Sequence, residues 1–130
     1  MTMMPGVVPR PVDRQIDVVA TAVYAELFHA LSDPTRLAIV QHLAIGEHRV
    51  RDLVEHMGLA QSTVSGHLGC LRECGLVTVR VEGRSSWFSL SEPELLAGLL
   101  VGAERLLGAT GEKVRLCTHL VHPETSGEGA

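Results

Sequence analysis

Cys70 and Cys74 stand four residues apart, and the stretch that leads into them carries the short polar side chains Gln61, Ser62, Thr63 and Ser65. Four residues is close to one turn of an α-helix, so two thiols at that spacing project on nearly the same side, about 40° apart around the axis. Two thiolates so placed can share one ion at roughly 2.3–2.6 Å with little distortion of the backbone. The same spacing also suits two small apolar residues lining a core, or a pair of oxidisable thiols. A third cysteine, Cys117, lies further along the chain. Three sulfur donors would favour soft ions, Cd(II), Pb(II) and As(III), with Zn(II) bound less distinctively. Thiols must lose their protons to bind, and the carbonyl end of a helix near Cys74 resists that loss. The polar front has a chemistry of its own. Gln61 can bond adenine bidentately, and the Ser and Thr hydroxyls can serve bases or phosphates, or simply solvate a helix start.

Both chemistries need a helix to hold them. Leu59, Val64, Leu68 and Leu71 recur near helical spacing, which predicts a helix over 61–74 with Ser62, Ser65 and Arg72 outside. Gly75 is placed to end it in a left-handed conformation, and Leu76 begins a strand-forming run. Upstream, Ile16, Val19, Val23, Leu27 and Leu31 predict a first helix, whose apolar surface is widened by Val18, Ala22, Ala25 and Phe28. A terminal helix apolar around much of its circumference packs in its own domain or against a second subunit. Asp33-Pro34 restarts the chain as a second helix, Asp33 as cap and Pro34 at the first position, running to about Ala44. A short third helix spans 52–57 and stops at Gly58, with Arg51 a weak cap for it, as Ala60 or Gln61 is for the fourth.

Two short helices joined by a tight turn have the layout of a helix-turn-helix. The runs 77–81 and 86–90 alternate in strand fashion around Glu82-Gly83-Arg84-Ser85 and predict a β-hairpin, a wing, anchored by Trp87 and Phe88. Ser91-Glu92-Pro93-Glu94 opens a last helix with Leu95, Leu96, Leu99, Leu100, Ala103, Leu106 and Leu107 on one broad face. The expected class is mainly α with a small β-hairpin, a winged helix-turn-helix. The expected organisation is a flexible arm over 1–13, a DNA-binding and dimerisation domain over 14–108, and a tail over 109–130.

The 130 residues suit one domain, and the longest uncharged apolar run, 95–103, is too short to cross a membrane. No secretory signal is visible at the start, so a cytoplasmic location is expected, where thiols stay reduced. The net charge of −4 argues against a nucleic-acid partner. Its distribution softens that objection, because the middle, 48–90, carries five basic and four acidic side chains while both ends are acidic.

In order and spacing, Leu31-Ser32-Asp33-Pro34-Thr35-Arg36, then Ser62-Thr63-Val64-Ser65-Gly66-His67-Leu68, then Leu71-Arg72-Glu73-Cys74-Gly75-Leu76-Val77, then Glu82-Gly83-Arg84, resemble the ArsR/SmtB winged-helix metal-sensing repressors. The resemblance covers about 16–108. It implies a homodimer formed by the first and last helices, with each fourth helix in a major groove of a near-palindromic operator in double-stranded DNA. Gln61, Ser62, Thr63 and Ser65 are then the expected base and phosphate contacts, with Arg84 at the wing touching phosphate or minor groove, and His67 either a phosphate contact or an interior histidine.

Gly69-Cys70-Leu71-Arg72-Glu73-Cys74-Gly75 with one further cysteine near the C-terminus looks like the cadmium- and lead-responsive CmtR branch. That likeness implies Cys70, Cys74 and Cys117 as the metal ligands, the last from the other protomer. Where many relatives carry Cys-Val-Cys before the third helix, this chain has Arg49-Val50-Arg51, and Glu104 has no histidine partner on the last helix. His119 and His122 could add ligands near Cys117. The expected function is repression relieved by Cd(II) or Pb(II). The rivals are As(III) sensing, thiol-redox sensing and, least, a small thiol enzyme, for which no positioned base is evident.

Overall fold

The computed structural model describes residues 15–112 and 114–116. Among these residues, five helices and one hairpin follow in the order α1 (Val18–Leu31), α2 (Pro34–Ile45), α3 (Val50–Met57), α4 (Gln61–Glu73), β1 (Val77–Glu82), β2 (Ser85–Leu90) and α5 (Pro93–Ala109). The cysteine at 117, with His119 and His122, and the arm over 1–13 lie outside the described residues.

Local chemistry accounts for the boundaries. Asp17 and Asp33 cap α1 and α2, their carboxylates accepting from the amides of Ala20 and Arg36 at 3.0 Å each, and Pro34 occupies the first turn of α2 where no amide hydrogen is needed. The third helix starts earlier than its apolar pattern suggests. Arg49 is the N-cap residue, and the carboxylate of Asp52 accepts both the Arg49 amide (2.8 Å) and its guanidinium (3.0 Å to each of two nitrogens). Arg49, and not Arg51, stands at the helix start, where Asp52 accepts from its amide and guanidinium while the Arg49 side chain caps no helix amide. Gly58, at φ +68°, turns the chain sharply into α4.

At the far end of α4 the chain forms a full Schellman closure, with the amide of Gly75 (φ +80°) bonded to Arg72 O at 2.9 Å and that of Leu76 to Leu71 O at 3.0 Å. The wing is an antiparallel pair running from Val77 opposite Leu90 to Glu82 opposite Ser85, and its Gly83 has φ +64°. An isolated bridge ties it to the body, His48 exchanging both backbone bonds with Phe88.

The core is one cluster. Ile39, Val40 and Leu43 of α2, Leu53 of α3, Val64, Leu68 and Leu71 of α4, and Val77 and Leu90 of the wing meet Ala30, Leu31, Leu96 and Leu100 from the outer helices. Every buried group is apolar among the described residues. The few aromatic residues contribute little to it, as the 3% aromatic content requires. Phe88 packs against the cluster, while Trp87 lies under the guanidinium of Arg49, 4.7 Å from its ring centre, with Arg80 at 6.0 Å. Chain residues 114–116 return onto α5: Arg115 pairs with Glu104 at 3.1 Å, and Leu116 packs against the core.

Candidate nucleic-acid interface and thiol pair

Helix α4 divides along its circumference and along its length. Val64, Leu68 and Leu71 are fully buried and fix the inner side. Gln61, Ser62, Thr63 and Ser65 are all exposed on the outer side at its start. Ala60 offers no side chain to cap the helix, so its first amides receive no side-chain acceptor from the protein. Free amides and a positive dipole end suit a phosphate, and short hydroxyls beside them suit a groove. Arg84 stands exposed in the wing turn, and no acid pairs with it among the described residues. By contrast Arg80 is engaged by Glu47 (2.8 Å) and Glu82 (2.9 Å), and Arg49 by Asp52. The Arg80–Glu47 pair ties the wing to the loop before α3. The four α4 residues and Arg84 thus all stand exposed, on the two elements a winged helix-turn-helix lays on a duplex.

The thiols sit at the opposite end. Both Cys70 and Cys74 are free; Cys70 is half-buried against the core and Cys74 is exposed. Cys74 is the C-cap residue rather than an interior one, but its amide still bonds Cys70 O at 3.2 Å, so the one-turn relation holds. The Cys74 thiol donates to the carbonyl of Glu26 on α1 at 3.8 Å. Partial burial pushes its pKa up, and the neighbouring Cys70, Glu26 and Glu73 push the same way, against a smaller opposing pull from Arg36. The raised pKa of Cys74 slows its oxidation and makes any ion that binds there displace a proton. As a donor set, two adjacent thiols fit a soft ion, but among the described residues no group of three or more His, Cys, Asp or Glu is arranged to hold a metal. A third donor would have to come from elsewhere.

Two arrangements have no signal in local spacing. His42, His48 and His56 gather their rings with centres 5.3–6.2 Å apart, His48 Nδ1 lying 2.7 Å from Gly46 O. Partial burial, followed by the charges of His56 and His48, lowers the pKa of His42. The second is centred on Arg36. Its Nε donates to Ala30 O (2.7 Å) and one terminal nitrogen to His29 O (2.9 Å), both at the end of α1, while the other terminal nitrogen meets His67 Nδ1 on α4 at 3.3 Å. Nε2 of His67 faces the Asp33 carboxylate at 3.9 Å. His67 is therefore a half-buried, partnered histidine rather than a free surface one.

The comparisons with known proteins agree with this geometry. A family model described as "Bacterial regulatory protein, arsR family" matches residues 33–79. The chain is 38% identical over 96 residues to a "Probable mercury resistance operon repressor" of Streptomyces lividans, an alignment covering 74% of this chain and 76% of that protein. It is 44% identical over 75 residues to the transcriptional regulator CmtR of Mycobacterium tuberculosis, covering 58% of this chain and 64% of that one. The solution structure of that cadmium sensor superposes with a TM-score of 0.51 over 58% of this chain and 78% of the other. The homodimeric winged helix-turn-helix DNA-binding domain of Mb0332 from Mycobacterium bovis superposes at 0.60 with 26% identity, over 81% and 95%. The relatives are transcriptional repressors and not enzymes, and this chain, with its five helices and single wing, belongs to the ArsR family of winged helix-turn-helix regulators.

Proposed function

We propose that the chain is a homodimeric repressor that binds near-palindromic operator DNA and is released when a soft metal ion is held by its thiols. The observation that carries this reading is the construction of α4, with an exposed, uncapped polar front and two free thiols one turn apart at its back. Gln61, Ser62, Thr63 and Ser65 enter the major groove, and Arg84 neutralises a phosphate beside it. The dimer forms through α1 and α5, whose Val19, Val23, Tyr24, Phe28, Leu95 and Leu106 are exposed in the single chain. In this reading residues 14–108 are the DNA-binding and dimerisation unit, 109–130 supply the third donor, and the protein works in the cytoplasm beside its operator.

Cys70, Cys74 and Cys117 are the proposed ligands for Cd(II) or Pb(II). Support comes from the soft donor set and from the likeness to a cadmium sensor. The mercury-resistance relative brings Hg(II) into the same class, and As(III) and Zn(II) complete the series to be tested. Capture of the ion moves α4 or the dimer so that DNA affinity falls, by a coupling of ~1–3 kcal/mol. Linkage then requires operator DNA to weaken metal binding by the same factor.

Fluorescence anisotropy of a labelled operator, with and without Cd(II), tests the whole reading. Release by Cd(II) in the wild type, with a sulfur-to-metal absorption band in the ultraviolet, is expected, and Cys70→Ser abolishes both. Equal operator affinity with and without each of these ions in the wild-type protein would exclude it. Mass gain with peroxide in place of the absorption band would make oxidation the input instead.

A further inference from the structure

The end and the middle of α4 are both tied to α1, the first directly and the second through Arg36 of α2. At its back, the Cys74 thiol meets Glu26 O of α1 at 3.8 Å. One turn further along α1, the carbonyls of His29 and Ala30 are held by Arg36, and the same guanidinium reaches His67 in the middle of α4. Asp33 completes the frame, taking the Arg36 amide at 3.0 Å and facing His67 Nε2. A guanidinium is a planar donor fork with fixed directions. It cannot keep two carbonyls on α1 and one imidazole on α4 if those helices slide or rotate against each other. Because Arg36 only donates, Nδ1 of His67 is the acceptor, and the ring proton is on Nε2, toward Asp33.

We propose, building on the metal-release reading above, that Arg36 and His67 are positioning residues: they form the strut that holds α4 against α1 in its DNA-reading set, and ion capture at Cys70 and Cys74 works by breaking it. The reason is geometric. A thiol that donates to Glu26 O cannot at the same time present its sulfur to an ion, because coordination takes the proton off that sulfur and releases it to water. The Cys74 tie to α1 is then lost, and the load falls on the bridge from His67, two turns back on the same helix, through Arg36 of α2 to His29 O and Ala30 O. A displacement of α4 large enough to change groove fit exceeds the tolerance of a hydrogen bond, which weakens steeply with distance and angle. Helix α1 also carries the exposed apolar face assigned to the partner, so the strut joins the reading helix to the dimer frame.

The test uses full-length protein, labelled operator and Cd(II) alone, and it reads the ratio of operator affinity without and with the ion. For the wild type a ratio of ~5–150 is expected. His67→Leu removes the acceptor without touching the bonds that Arg36 makes to α1. In this variant the metal-free protein binds operator nearly as weakly as Cd(II)-loaded wild type, the ratio falls to about one to three, and Cd(II) affinity measured from the absorption band in the absence of DNA rises, because the ion no longer has to break the strut. His67→Gln, which restores an acceptor, recovers most of the ratio. Arg36→Lys keeps the charge but not the fork, and loses it. If His67 were only a phosphate contact, affinity would drop equally with and without Cd(II) and the ratio would survive. A wild-type ratio in His67→Leu therefore overturns the strut, and the same result in Arg36→Lys would do so independently. If Arg36→Lys loses its helical circular dichroism, the His67 pair decides. A wild type that shows no Cd(II)-dependent release at all fails the function itself and removes the strut with it.

Discussion

The centre of the chain and its flanks are built to different rules. From α2 through the wing, most apolar side chains point inward, Ile45 and Val81 excepted, and Ile39, Leu53, Val64 and Leu71 have no exposed surface. In α1, only Ala30 and Leu31 are buried, while Val18 is 76% and Val19 75% exposed. Helix α5 behaves likewise, burying Leu96, Ala97 and Leu100 but leaving Leu95 73% and Leu106 68% exposed. The reading head supplies most of the core, with Ala30, Leu31, Leu96 and Leu100 joining it from the outer helices. Two helices that leave contiguous valines and leucines in water are incomplete as a surface, and a second copy is the simplest completion.

The sharpest way to break this contrast is a truncation on each side of it. Leu68→Ala opens a cavity at the middle of α4, where nothing can collapse into it, and is expected to cost about 2–5 kcal/mol in urea unfolding. The same kind of truncation at Val19 should cost the isolated chain much less, because its side chain is mostly in solvent. Comparable losses at the two positions would mean that α1 belongs to the self-sufficient core.

A second substitution sharpens it from the other side. Val23→Asp puts an unpaired charge on the exposed face of α1, and burying such a charge against a partner costs about 3–5 kcal/mol. Sedimentation should show the dimer giving way to monomer, while helical circular dichroism stays near wild type and operator binding drops with the loss of paired half-sites. A variant that remains dimeric would place the subunit contact elsewhere.

The same contrast governs what could be read without coordinates. Helix α4, its Gly75 stop, the hairpin around Gly83 and the thiol spacing are local patterns, and all four stand where periodicity and turn chemistry put them. So does the unusual breadth of the apolar surface on α1. The start of α3 was less legible, because Arg49 is a poor cap by type and is held there by donating its amide and guanidinium to Asp52. Arg36 was legible merely as the end of a capping motif. Its partners at 29, 30 and 67 come from two other helices, and no spacing within its own helix encodes them. The histidine cluster is invisible for the same reason: 42, 48 and 56 fit no common face until α2, the loop and α3 are folded together.

That cluster gives the smallest effect, and it falls on the central region alone. Partial burial and the nearby charges of His56 and His48 hold His42 below its ordinary value of 6.5. Over the range between the two values the unfolded chain has taken up a proton that the folded chain refuses, so unfolding is favoured as pH drops. The stability tied to the neutral ring is whole above pH 6.5 and is lost as pH falls through the lowered folded value. Urea midpoints measured at pH 7.5 and 5.5 should therefore decline, and His42→Gln should flatten part of that slope. The wing gives the effect a structural address, since His48, beside His42, is bonded to Phe88 through both backbone groups. An unchanged slope in His42→Gln would place the acid sensitivity outside the reading head.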